Sequence, residues 1–188
     1  MTDLEAVLAL GQGDPHGLEA LIERHELRAL RVAYYITRDP ESAKDIVADA
    51  FLAVVEQIDR SDPDRPFEPW FFRIVTNRAI SATRWASRRL RLLALITPGS
   101  EPANPEATAV RNETQRALAQ VIQSLPPKER AALALRYYLD LDERGIAAML
   151  GWPIGTVKTR LHRGRARLRQ RLEADDRGLW TANALEGD

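Results

Sequence analysis

Between Pro153 and Leu172 the chain carries seven lysines and arginines and no acid, and this run restricts the possible folds more than any other stretch. Ile154, Val157, Leu161, Leu168 and Leu172 recur at spacings of three, four or seven, which places them on one face of a helix. The remaining faces hold Lys158, Arg160, Arg163, Arg165, Arg167, Arg169 and Arg171, with His162 among them. Such a helix makes no salt bridges of its own, and its charged neighbours repel one another. It calls for an external polyanion. Upstream lie a short helical stretch from Asp142 to Leu150, a turn at Gly151 and an entry through Pro153. The whole unit reads as a helix-turn-helix, whose second helix offers its first cations to base edges in a DNA major groove and its later ones to phosphates.

A chain of 188 residues holds one domain comfortably or two small ones, and 45% hydrophobic content suits globular folding. The absence of cysteine excludes disulfides and thiolate metal sites and suits a reducing compartment. No signal peptide and no run of membrane-spanning length is apparent, so a cytoplasmic protein without membrane insertion is expected. A net charge of zero conceals strong segregation. Residues 1–68 hold 15 acids and 7 bases, residues 69–100 hold 6 bases and no acid, and residues 153–172 are +7. Two cationic blocks separated by neutral or acidic protein suggest two footprints on one polyanion, with acidic surface left for another partner.

Along the chain, Asp14-Pro15 predicts a cap and first turn for a helix through about Thr37, with Leu18, Leu21, Ile22, His25, Ala29, Val32, Ala33 and Ile36 inward. His25 reads as a packed core residue, since no second ligand accompanies it. The stretch holding Leu4, Val7 and Leu8 is either one more short helix or a frayed end. Asp39-Pro40 opens a helix to about Asp59, with Ala43, Ile46, Val47, Ala50, Phe51, Val54, Val55 and Ile58 on its apolar face. Asp45, Asp49 and Glu56 project from the other side, as a solvated acidic face or as a dock for a basic partner. The proline-rich 59–69 is expected as a loop. The next helix sets Trp70, Phe71, Ile74, Val75 and Ile80 against Arg73, Asn77, Arg78, Arg84, Arg88, Arg89 and Arg91. Aromatics among arginines stack on unpaired bases, although Trp70 and Phe71 also suit a core.

Residues 97–107, rich in proline and small residues, read as a linker. A helix opened by Asn104-Pro105 with Val110, Leu118, Val121, Ile122 and Leu125 follows, then one after Pro126-Pro127 with Leu133, Leu135 and Tyr137 as core candidates. Residues 175–188 form an acidic tail expected to be mobile. No stretch alternates as a strand would. Glycines form no phosphate loop, and His16, His25 and His162 have no metal-ligand spacing. No nucleophile arrangement is evident. The expectation is a non-enzyme with no catalytic residue, no cofactor and no metal.

The stretch from Leu125 to Leu172 resembles region 4 of the bacterial sigma-70 superfamily of RNA polymerase initiation factors. DPESAKDIVADAFLAVV followed by FEPWFFRIVTNRAI resembles region 2. Both blocks, in this order and joined by a proline-rich linker, resemble the small two-domain extracytoplasmic-function (ECF) group. The implied fold is all-α: a region 2-like bundle over 1–96, a linker over 97–107, a region 4-like helix-turn-helix over 108–174, and the tail. The implied role is transcription initiation, in which core RNA polymerase is directed to promoters. Region 4 would read the minus 35 element through Thr156, Lys158, Thr159, Arg160, His162, Arg163 and Arg167. Region 2 would bind and melt the minus 10 element through Arg65, Phe67, Trp70, Arg73, Asn77, Arg78, Arg84 and Arg88. Asp45, Asp49, Phe51 and Glu56 would dock on the clamp of the polymerase's largest subunit, with further contact at the flap, and an anti-sigma factor is an expected partner.

Some residues depart from the family's pattern. A glutamine is usual at Ala48, an acid at Lys44, an aspartate at Ser81 and a glutamate at Gly145; the last change removes a capping-box partner for Asp142 and is expected to weaken its helix. A stand-alone helix-turn-helix regulator of duplex DNA would explain the C-terminal half equally well. It leaves the acidic helix and the Arg/Trp helix without a role.

Overall fold

The structure, a computed structural model, describes residues 1–58, 66–96, 122 and 124–174, with side chains described outside 87–96 and 171–174. Among these residues there are seven helices and no strand. The expected linker at 97–107, the tail at 175–188 and nearly all of the helix expected after Asn104 lie outside the described residues.

Helix α1, Asp3–Gly11, settles the ambiguous N-terminal stretch. Thr2 and Glu5 form a reciprocal capping box: the Glu5 carboxylate accepts from the Thr2 N–H at 2.6 Å, and the Glu5 N–H donates to the Thr2 hydroxyl at 3.2 Å. Helix α2, Pro15–Thr37, starts at the Asp14 cap, with Pro15 in its first turn. A Cβ at Gly17 would lie 2.4 Å from the Ala6 carbonyl oxygen, so only glycine lets α1 lie this close to α2. Arg38, left-handed at φ 64°, closes α2, and the Asp39 carboxylate accepts from the Ser42 N–H at 2.9 Å to open α3, Pro40–Gln57. Helix α4, Phe67–Ile96, takes in the last three residues of the expected 59–69 loop, with Pro69 in its first turn, where no amide donor is missed.

An aromatic cluster joins these helices. Phe71 lies 4.6 Å from Phe51 and 5.4 Å from Phe67, centroid to centroid, and His25 lies 5.3 Å from Phe67. His25 is 1% exposed and its Nε2 is 2.9 Å from Asp3 Oδ2, so this core histidine has a carboxylate companion from α1. Burial is the largest single effect on the Asp3 carboxyl and pushes its pKa up, but the hydrogen bonds and charges of Arg24 and His25 together outweigh it and hold the value below the usual one.

The C-terminal half is α5, Pro127–Tyr138, α6, Glu143–Leu150, and α7, Ile154–Ala174. Asp142 caps α6 through the Gly145 N–H at 2.6 Å, so the cap forms without a glutamate at 145. Gly151, left-handed at φ 66°, turns the chain toward α7. Leu133, Leu135, Ile146, Leu150, Val157, Leu161 and Leu168 are buried together. Among the described residues three expected core positions are exposed, Val55, Tyr137 and Ile154 at 42%, 49% and 42%, while Leu18, Ile22 and Ile74 are half-buried. Each sits at the margin of an apolar stripe wider than the surface that its neighbours cover.

The two halves pack against each other, α5 on α2 and α4, and α6 on α4. The Tyr35 and Tyr138 rings meet at 4.3 Å, and the Arg38 guanidinium lies over Tyr34 and Tyr35. Arg130 is buried, and burial together with the nearby Arg38 charge pushes its pKa down to about 10.

Gly17→Ala is expected to destabilise the protein by about 1–3 kcal/mol, because the clash is with backbone of α1. Urea unfolding measures the loss. The same stability as the native chain would show that α1 does not need this approach.

Candidate nucleic-acid interface

Helix α7 buries Val157, Leu161, Gly164 and Leu168 and turns Lys158, Thr159, His162, Arg163, Arg167 and Arg169 outward. The close seat of Gly164, where a Cβ would lie 2.9 Å from Leu133 Cδ1, fixes how far α7 settles onto α5. Its cations then divide by environment. Arg167 Nη1 is 2.6 Å from Glu129 Oε2, a carboxylate that is itself buried in α5. The Lys158 ammonium is 3.6 Å from the Glu143 carboxylate across the turn. The Arg165 guanidinium lies over Tyr137 and that of Arg160 over Trp152. The Thr159 hydroxyl donates to the Gly155 carbonyl at 2.8 Å. Thr156 is half-buried. The outermost surface is therefore Thr159, His162 and Arg163 with Lys158 beside them, while Arg160 and Arg167 flank it on the side of α5.

On α4, Arg73, Asn77, Arg78 and Arg84 are exposed, and Trp70 is half-buried. Trp70 and Arg73 line a cleft of about 310 Å³ with Pro66, Pro69, Leu141 and Met149, so α6 stands over the first turns of α4. Arg78 Nη1 is 2.9 Å from Asp49 Oδ2, linking α4 to the acidic side of α3. Arg65 and the side chain of Arg88 lie outside the described residues. Two expected contact residues are corrected: Phe51 and Phe67 are 7% and 5% exposed, their rings held in the aromatic cluster, so neither offers its ring to a partner.

On α3, Asp45, Ala48, Asp49 and Glu56 are exposed, together with Leu52 at 62% and Val55 at 42%. Leu52 was not singled out from the sequence. It lies off the buried stripe, and an apolar residue facing outward among acids was the available signal. Arg28 was also missed; it pairs with Glu68 at 2.8 Å and lies over Phe72, bracing α2 against the start of α4.

Two helical halves each present a cationic outward face, and the second carries a helix-turn-helix. Residues 21–89 match the family model for sigma-70 region 2, and residues 108–168 match that for sigma-70, region 4. The chain is 31% identical over 171 residues to the ECF RNA polymerase sigma factor SigW of Bacillus subtilis, with 86% of this chain and 91% of that protein covered. It is 30% identical over 175 residues to the RNA polymerase sigma-E factor of Streptomyces coelicolor, covering 93% and 94%. In structure it is similar to CnrH solved in complex with the cytosolic domain of CnrY, at TM-score 0.68 and 25% identity over 93% of this chain and 99% of that one. Its fold also matches that of RpoE of Bartonella quintana, solved with the anti-sigma factor NepR, at TM-score 0.61 and 23% identity over 84% and 99%. The chain belongs to the ECF RNA polymerase sigma factors. It is a transcription initiation factor. Among the described residues no helix is long and apolar enough to cross a membrane.

Arg167→Ala strands the buried Glu129 carboxylate and is expected to cost about 1–3 kcal/mol. Arg163→Ala, at an exposed position, is expected to stay within about 0.5 kcal/mol of the native chain. Thermal melts of the two variants separate the roles, and equal melting temperatures would remove the structural role of Arg167.

Proposed function

We propose that this chain docks on the clamp of the largest polymerase subunit through the outward face of α3 and directs the enzyme to promoters by two DNA contacts. Residues 1–96 bind polymerase and the minus 10 element, and residues 108–174 bind the minus 35 element and the flap. The observation that carries the reading is the α3 face: Leu52 and Val55 stand exposed among Asp45, Asp49 and Glu56. An apolar strip bordered by carboxylates suits a basic, partly apolar partner, with burial of the leucine supplying affinity and the acids supplying orientation. Duplex DNA would be repelled there.

The outward residues of α7, Thr159, His162 and Arg163 with Lys158, are assigned to the minus 35 element. Trp70, Arg73, Asn77, Arg78 and Arg84 of α4 are assigned to the minus 10 element, where an aromatic ring stacks on an unpaired base and the arginines neutralise phosphates. Each contact is small. Tethering both on one polymerase makes the second contact effectively intramolecular, raising affinity on the order of a hundredfold or more. Strand opening is driven by capture of unpaired bases and requires no hydrolysis by this chain. An anti-sigma protein is assigned as a partner; the complexes of CnrH with CnrY and of RpoE with NepR support this.

Asp49→Arg places a cation in the docking face and removes the partner of Arg78. Co-purification with core polymerase is expected to fall at least tenfold while the thermal melt of the free chain changes little. Normal holoenzyme assembly would reject the α3 dock. Arg163→Ala is expected to lose about 1–3 kcal/mol of discrimination at one base pair of the upstream element. This is read by comparing binding to single-base variants of a duplex selected with reconstituted holoenzyme; an unaltered preference would move the reading face elsewhere on α7.

A further inference from the structure

Trp152 occupies the turn between α6 and α7, where its backbone N–H donates to the Ala147 carbonyl at 3.1 Å and Pro153 follows. The turn leaves the indole half-buried. Two cations from different helices converge on it. Lys128 Nζ, at the start of α5, is 5.7 Å from a Trp152 ring centroid, and Arg160 Cζ, in α7, is 5.2 Å from one. Among the described residues neither has a carboxylate within 4.0 Å. Glu129, next to Lys128 in sequence, is committed to Arg167. Arg160 Nε is buried and has no acceptor among the described residues.

We propose that Lys128 and Arg160, gathered on the Trp152 indole, form a clamp for one backbone phosphate of duplex DNA at the edge of the α7 reading surface. The clamp rests on the promoter-binding reading and extends it to Lys128 and Trp152, and it moves Arg160 from base reading to backbone binding.

Three arguments lead to a phosphate. First, the site is a concentration of positive charge that an anion relieves: burial, then the Arg84 and Arg160 charges, hold the Lys128 ammonium below its usual value. Second, the chemistry of the pair fits: a guanidinium fork matches two phosphate oxygens and an ammonium adds a point charge, while an aromatic plate holds both cations in place before the ligand arrives. Third, the position is on the flank. Arg160 is half-buried toward α5, whereas Thr159, His162 and Arg163 face outward. A flanking contact fixes the register of the helix on the duplex and carries no sequence information.

The test uses the full chain, with binding measured over a range of salt concentrations to two labelled duplexes, one selected with holoenzyme and one of scrambled sequence. Lys128→Ala and Arg160→Ala are each expected to reduce the log–log salt slope on both duplexes, the double variant reaching a loss of about 0.9, the value for the one phosphate contact they share, and to leave the ratio between the duplexes unchanged. Trp152→Leu keeps both charges yet is expected to weaken both duplexes several-fold, and Trp152→Phe, which retains a π face, to restore most of that loss. Thermal melts identify any variant that weakens binding merely by unfolding, and the Lys128→Ala and Trp152→Phe results then decide alone. An unchanged slope in Lys128→Ala, or a loss confined to the selected duplex, overturns the clamp. Failure of the promoter reading looks different: the native chain would then bind both duplexes equally, while the slope comparison would still decide whether the clamp exists.

Discussion

The repulsion along α7 is the constraint on which the C-terminal half depends. Seven cations between Pro153 and Leu172, with no acid among them, cannot neutralise one another within the helix. The fold answers by bringing partners from elsewhere in the chain. Glu129 of α5 takes Arg167, Glu143 of α6 takes Lys158, and two aromatic faces, Tyr137 and Trp152, take Arg165 and Arg160. Each partner sits to the side of α7 that faces its own helix. Thr159, His162 and Arg163 are thereby left on the outermost surface, which on the proposed reading meets DNA. The same contacts that make α7 tolerable within the protein also aim it.

The N-terminal half solves a different problem with the same economy. Phe67, Phe71 and Phe72 close around His25 and Phe51 packs on Phe71, so α2, α3 and α4 share one aromatic centre. Once that centre holds the inner faces, the outer faces of α3 and α4 are determined by helical period alone. Acids with the exposed Leu52 and Val55 fall on α3, and cations with the half-buried Trp70 and the exposed Trp85 on α4. Because Asp49 reaches Arg78, the two surfaces are neighbours and not independent sites. On the proposed reading, a partner that takes Asp49 would release Arg78, and docking and DNA contact would share an electrostatic link.

Much of this was legible because the signals were local. The Asp14-Pro15, Asp39-Pro40 and Asp142 caps each mark a helix start that the structure shows, and the buried stripes of α2 and α3 follow the period of their apolar residues. The misses share one cause. Periodicity identifies a face but not how much of it a neighbour covers, and so Val55, Tyr137 and Ile154 were placed inside, and Phe51 and Phe67 were offered to partners. The companions of His25 and Arg167 could not be read either: Asp3 and Glu129 lie 22 and 38 residues away in sequence. Sorting the arginines of α7 into braces and contacts is a question about packing, and only the placement of α5 and α6 answers it.

The packing of the two halves bears on how both DNA surfaces can act together. Trp70 and Arg73 line the cleft with Leu141 and Met149, so the ring assigned to an unpaired base is half-covered by the helix-turn-helix. Across the seam α5 lies on α2 and α4. Its ring pair, Tyr35 with Tyr138, contributes about 0.5–1.5 kcal/mol beyond burial. Against that, Arg38 and Arg130 are brought close enough for one charge to lower the pKa of the other. Two DNA contacts made on one polymerase would, on the proposed reading, part this seam. On the proposed reading the first turns of α4 are therefore uncovered by the enzyme that needs them, and the energy of parting the halves is drawn from docking and promoter binding together.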